Sequence, residues 1–170
     1  MKKLFLVAFL MMAMALVGAA CASPEEPPEP QTPPPSTPSE PKADVSSIVA
    51  GGLLYDKWWK VDSGATEPTQ DNPLWASQSS NTRSGSTTWR CKECHGWDYK
   101  GIDGAYSSGS HKTGFPGVYD AAMAEDKAHL IEILNGHDND QHDLSAVLSD
   151  QAIENLADFL SEGLIDDSKY

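Results

Sequence analysis

The chain has 170 residues, with 12 Lys+Arg against 25 Asp+Glu, a formal charge of −13 and 39% hydrophobic residues. At about 150 residues per domain, that length is one folded unit plus extras. So acidic a chain is ill suited to wrapping nucleic acid, where Lys and Arg neutralise phosphates, and anionic lipid head groups repel it.

In chain order, Lys2 and Lys3 precede an apolar stretch from Leu4 to Ala20. A positive start, an apolar run and small residues predict a secretory signal over residues 1–20. A spanning anchor is disfavoured, because the run sits at the short end of the spanning range and no Lys/Arg stop-transfer cluster follows. Leu16-Val17-Gly18-Ala19-Ala20 before Cys21 resembles a bacterial lipobox, which implies lipidation of Cys21 and a membrane anchor. Gly18 departs from that pattern, and ordinary cleavage after Ala22 competes with it. Residues 21–44 are expected to be a disordered tether. Half of residues 24–41 are Pro, four are Glu and none is a large apolar residue. Such a stretch cannot bury enough surface to fold, and at about 3.1 Å per residue it reaches some 50–60 Å.

Residues 45–170 form the expected domain, with 9 Lys+Arg, 20 Asp+Glu and a net charge of −11. Three helices are predicted and no strand pair. The first runs from about Ser46 to Lys60, with Ile48, Gly52, Tyr55 and Trp59 on one face. Gly51 and Gly52 weaken its propensity and point to a close helix crossing. Trp58 and Trp59 are neighbours, so only one of them is expected to face inward. Residues 61–90 and 98–119 are rich in Gly, Ser, Thr and Asp and weakly periodic, which predicts long loops. Loops of that length are uncommon in a compact domain without a function or a cofactor. The second helix spans about Ala124 to Asn135, with Leu130, Ile131 and Leu134 inward and Gly136 after its end. The third starts at the N-cap Ser149 and places Ile153, Leu156, Ala157 and Leu160 on one face.

Cys91-Lys92-Glu93-Cys94-His95 carries the chemistry. Two thiols three positions apart can add to the two vinyl groups of one haem, and the adjacent His then points at the iron. A redox-active C-x-x-C is one competitor, but it calls for a βαβ setting that the pattern lacks. Zinc is the other, with His137 and His142 as partners of the cysteines; the gap from Cys94 to His137 is too long for a compact finger. Trp89 and Trp97 flank the motif and are expected to pack on the macrocycle. Asp138, Asp140 and Asp143 lack the Gly and terminal Glu of a calcium loop and are expected to be solvated.

The chain resembles the class I-like monohaem c-type cytochromes. Gly51-Gly52-Leu53-Leu54-Tyr55 stands in the first helix, Cys91 to Gly96 follows, then a His-rich loop, then Leu148-Ser149-Asp150 opening the last helix. The stretch from Trp89 to Thr113 also looks like a subgroup of exported bacterial monohaem cytochromes. The resemblance implies an all-α fold of cytochrome c-like helices around one covalent haem c, with long irregular loops and an insertion at about 61–90. It implies Cys91 and Cys94 as thioether positions and His95 as proximal iron ligand, its other ring nitrogen donating to a carbonyl near Pro116. The family's distal ligand is usually a Met about seven residues before the Leu opening the last helix; here that position is Gln141, and no Met follows Met123. His142 is the expected distal ligand, with His137 and Met123 as competitors; His111 and His129 are expected to be surface or packing residues.

The expected function is electron transfer outside the cytoplasm, tethered to the membrane, with basic redox proteins as partners. A cytochrome subunit of an extracytoplasmic oxidoreductase, or a haem module binding a small ligand, is the alternative.

Overall fold

Two glycines decide where the first helix can lie. In the computed structural model, which describes residues 42–169, α1 runs over Val45–Lys57 and crosses α5, Asp150–Asp158. A Cβ at Gly51 would meet the Asn155 carbonyl oxygen and come within 2.5 Å of Phe159 Cβ, so only a bare Cα admits this approach. The α5 side of the crossing is equally small or tightly packed, with Ala157 at 0% exposure between Leu156 and Asp158. Ser149 caps α5, its hydroxyl accepting from Ala152 N at 3.2 Å. The helix then continues as one π-helical turn, Phe159–Gly163.

All regular structure among the described residues is helical, as the sequence predicts. The expected signal peptide (1–20), Cys21 and the tether up to residue 41 lie outside the described residues. No helix among the described residues is long and apolar enough to cross a membrane.

Three expectations need correction. First, both neighbouring tryptophans are buried, Trp58 at 1% and Trp59 at 6% exposure. A continuous helix would put them about 100° apart. Instead the backbone breaks at Lys57 (φ −156°, ψ 70°) and re-enters as a 3-10 turn, Trp58–Lys60, which sets the indoles perpendicular at 5.2 Å. Second, the helix expected over 124–135 is α4 (Lys127–Leu134), which starts three residues later, and a short helix outside the expected range, α3 (Tyr119–Ala124), precedes it. Asp126 makes the break, because its carboxylate accepts from His129 N at 2.9 Å and caps α4. Third, residues 61–90 are not an open loop. They hold two 3-10 turns, Pro73–Ser77 and Gly85–Trp89. Three indole N–H groups tie the segment down: Trp58 donates to Trp89 O at 3.0 Å, Trp75 to Arg83 O at 2.9 Å and Trp89 to Gln70 O at 2.9 Å.

Helix α2 is the five residues Cys91–His95. Asp56 of α1 anchors its start. Arg90 Nε donates to Asp56 O at 3.0 Å and to Asp56 Oδ1 at 3.1 Å, and Lys92 Nζ lies 2.7 Å from the same carboxylate. Burial pushes the Asp56 carboxyl up, but the hydrogen bonds and charges of Arg90 and Lys92 outweigh it and hold the group below its ordinary value. A depressed carboxyl stabilises the fold above its unfolded pKa of about 3.9, and that stability is lost as pH falls through the folded value. The Asp56 side chain is 45% exposed, so solvent screening is expected to keep the effect below about 1 kcal/mol. Asp56→Asn should therefore lower the urea midpoint at pH 6, and the difference from wild type should shrink as pH falls below the ordinary carboxylate range.

Candidate functional site

The helix that carries both thiols is built against α1 from both ends. Tyr55 donates its hydroxyl to Gly96 O at 2.9 Å, just past the end of α2, while Asp56 holds Arg90 and Lys92. After His95 the chain turns back and meets residues 115–118. Gly101 and Pro116 form a single antiparallel bridge; Ile102 N donates to Phe115 O at 2.9 Å, and Val118 N to Tyr99 O at 2.8 Å. Gly101 adopts φ +53°, and a Cβ there would come within 2.5 Å of the Pro116 carbonyl carbon. This close backbone pairing aims the Pro116 carbonyl at the motif. His95 Nδ1 lies 2.8 Å from Pro116 O and donates to it, which leaves Nε2 unprotonated and free to ligate.

Cys91, Cys94 and His95 line one cavity of about 480 Å³, within the size range of small-molecule and cofactor sites. Its wall is mostly apolar, with Leu134, Leu144, Val147 and Leu160 from the core side. His142 faces His95 across it, from the 3-10 turn Asp140–His142, with ring centroids 6.2 Å apart. An imidazole nitrogen sits about 1.1 Å from its ring centroid and about 2.0 Å from a metal it ligates, so two imidazoles on opposite sides of one ion have centroids about 6.2 Å apart. The spacing of His95 and His142 fits a single metal ion held between them.

The electrostatics suit neutral ligands. Burial pushes His95 down to about 4, against the opposing pull of the Pro116 carbonyl. Burial also lowers His142, partly offset by the Ile133 carbonyl. Both imidazoles are therefore uncharged at neutral pH, the form that binds metal. The Cys91 and Cys94 thiols are free, and burial pushes each up to about 12. A redox-active dithiol needs a depressed thiol, so these two are poorly suited to disulfide exchange.

The other candidates lie elsewhere. His137 has a side chain 67% exposed and is paired with Asp138; it does not line the cavity, which also removes it as a zinc partner for the cysteines. Met123, next to last in α3, is 53% exposed and does not line the cavity. Trp89 lines the cavity, but Trp97 is 59% exposed: the chain reverses direction just after His95 and carries it outward. His129 pairs with Glu125 and Glu132 on the surface. Among the described residues, no group of three or more His, Cys, Asp or Glu side chains is placed to hold a metal ion.

Sequence reasoning missed part of the wall. Asn72, Pro73 and Leu74 of the inserted segment line the cavity, as does Phe115. It also missed Glu93, a carboxylate 2% exposed between the two cysteines. Glu93 accepts from Asn81 Nδ2 at 2.8 Å and from His111 Nδ1 at 3.1 Å, with Arg83 Nε at 3.4 Å. The Pro before Leu74 and the Asn capping that turn were the available signals; none marked Glu93.

The geometry defines a class first: an all-α domain folded around one apolar cavity with two cysteines on one edge and two facing imidazoles. Compared with known proteins, the chain matches no family model, no curated protein and no solved structure.

Proposed function

We propose that the chain is a monohaem c-type cytochrome that carries electrons outside the cytoplasm, held at the membrane by its N-terminal segment. The observation that carries this is the arrangement of Cys91, Cys94 and His95 on one short helix, with the His142 ring 6.2 Å away across a shared cavity. Cys91 and Cys94 would hold haem c covalently, His95 would be its proximal ligand and His142 its distal ligand. Haem iron, when bound, supplies reversible one-electron exchange, with its potential set by the axial ligands and the surrounding wall.

The chain's own residues do the rest. The Pro116 carbonyl holds the His95 proton on Nδ1 and so fixes the ring's tautomer and orientation. Tyr55 and Asp56 brace the two ends of the cysteine-bearing helix, which keeps the thiols and the imidazole in one rigid unit. The apolar wall excludes water and lowers the local dielectric. With His142 as second ligand the iron would have no open coordination position for a substrate, which favours electron transfer over substrate chemistry. Net charge of −11 over residues 45–170 favours docking to a basic partner. Lipidation at Cys21 and a Pro-rich leash would let the domain meet successive partners at the membrane surface.

The test is ultraviolet–visible and low-temperature spin-resonance spectroscopy of the exported, haem-loaded protein and of His142→Ala. The wild type should be low-spin, without a long-wavelength thioether-to-iron band, and lower in potential than a His/Met protein. His142→Ala should become high-spin and bind carbon monoxide. An unchanged iron spectrum in His142→Ala overturns the distal assignment, and absence of covalent haem in the wild type overturns the function.

A further inference from the structure

The segment between α1 and α2 is some 30 residues of chain that the proposed function leaves without a role. It is not draped over the surface. Asn72, Pro73 and Leu74 line the cavity, and the turn Pro73–Ser77 packs on the turn Asp140–His142. Trp75 is buried at 6% exposure and stacks obliquely on Phe115 at 6.5 Å. Phe115 in turn precedes Pro116, whose carbonyl orients His95. One inserted turn therefore touches both sides of the cavity.

Its other end is anchored to the cysteine-bearing helix itself. Asn81 and Arg83 of the inserted segment meet Glu93, which sits between Cys91 and Cys94. Removing an anchor around a carboxyl group this buried leaves a polar group unsatisfied, so this contact is costly to open. His111 completes the clamp: its Nδ1 donates to Glu93 Oε1, and its Nε2 accepts from Arg83 Nη2 at 2.9 Å. The inserted segment is thus clamped at α2 and leans on the His142 turn. Just past that turn the chain is tied to α4, through Leu144 N to Leu134 O at 3.0 Å.

We infer that the inserted segment is a fixed wall of the site, with Leu74 as a positioning residue that keeps the His142 turn closed and excludes small external ligands. This rests on the proposed haem function for the ligand it excludes, but the contact with the His142 turn belongs to the chain alone. An external ligand reaches the distal position only when His142 swings out, and that opening is a local unfolding event of the turn 140–142. The turn Pro73–Ser77, which places Leu74 in the cavity wall, lies against the turn 140–142 and opposes that opening.

The experiment compares wild type, Leu74→Ala, the milder Leu74→Val and Glu67→Ala, with cyanide as the probe of the ferric protein. Glu67 lies in the same segment but pairs with Lys60 and Ser86 at the surface, so it controls for general loosening. Leu74→Ala should bind cyanide about tenfold faster, from the lost contact of a few methyl-sized groups, with Leu74→Val between it and wild type. Hydrogen exchange at the His142 amide, which donates to Asn139 O at 2.8 Å, should accelerate in parallel while α1 and α5 stay protected. Glu67→Ala should behave as wild type. Equal cyanide rates and equal exchange at His142 in wild type and Leu74→Ala overturn the inference while leaving the haem assignment intact. Absence of covalent haem in the wild type overturns that assignment instead, and the exchange comparison on the cofactor-free chain still decides whether Leu74 holds the turn.

Discussion

Serine at both Cys91 and Cys94 should yield a chain that carries no covalently attached haem. The two side chains line one cavity and lie on one short helix, so both face the same space. Serine is close in size to cysteine, and the packing partners of α2, Tyr55 and Asp56, are untouched. What is lost is the sulfur that, in the proposed function, would bond the haem. Haem staining on a denaturing gel should show a band for wild type, a weaker one for each single serine variant and none for the double variant. His95 and His142 remain in the double variant, so haem retained by ligation alone should be extractable with acidified solvent. A double variant that keeps its stain would place the attachment elsewhere and sink the assignment.

The second large effect is structural. Gly51→Ala should destabilise the domain by about 1–3 kcal/mol, the range for overpacking a close contact. The added Cβ would press on the Asn155 carbonyl and lie 2.5 Å from Phe159 Cβ, in α5 and its π-helical continuation. Neither can yield without moving the helix, and that helix with its continuation carries Ile153, Leu156 and Leu160 of the core. Gly52 is the informative neighbour. A Cβ there would meet the Phe159 ring at 3.2 Å, the far end of a side chain that can shift. Alanine also gains about 1 kcal/mol of helix propensity over glycine. Gly52→Ala is therefore expected to be near neutral. Thermal melts of the two variants decide the matter: equal midpoints would mean the helices do not cross at Gly51.

Comparison of particular elements shows where sequence information ended. α5 was legible because its evidence is local: an N-cap serine and apolar residues at helical spacing. The same holds for the glycine pair in α1 and for the C-x-x-C-H pentapeptide. α4 was legible from Leu130, Ile131 and Leu134, although its cap, Asp126, sets its start three residues later than expected, and the six residues of α3 are too few to show a period. The inserted segment was illegible for a different reason. Its order comes from indole N–H groups reaching carbonyls 8, 19 and 31 residues away and from a carboxylate buried under it, and no periodicity records such bonds.

By itself the sequence determined that this is an acidic, helical chain with a C-x-x-C-H motif, because composition, helical period and the spacing of three reactive side chains are properties of neighbouring residues. Only the tertiary structure decided which groups meet around the cavity. His137 and His142 are five residues apart on one loop and chemically identical, yet one turns to solvent and Asp138 while the other faces His95. That difference is made by Leu134, whose carbonyl holds Leu144, and by the inserted turn packed on 140–142. It is a matter of long-range contacts, which the order of residues encodes only through the fold.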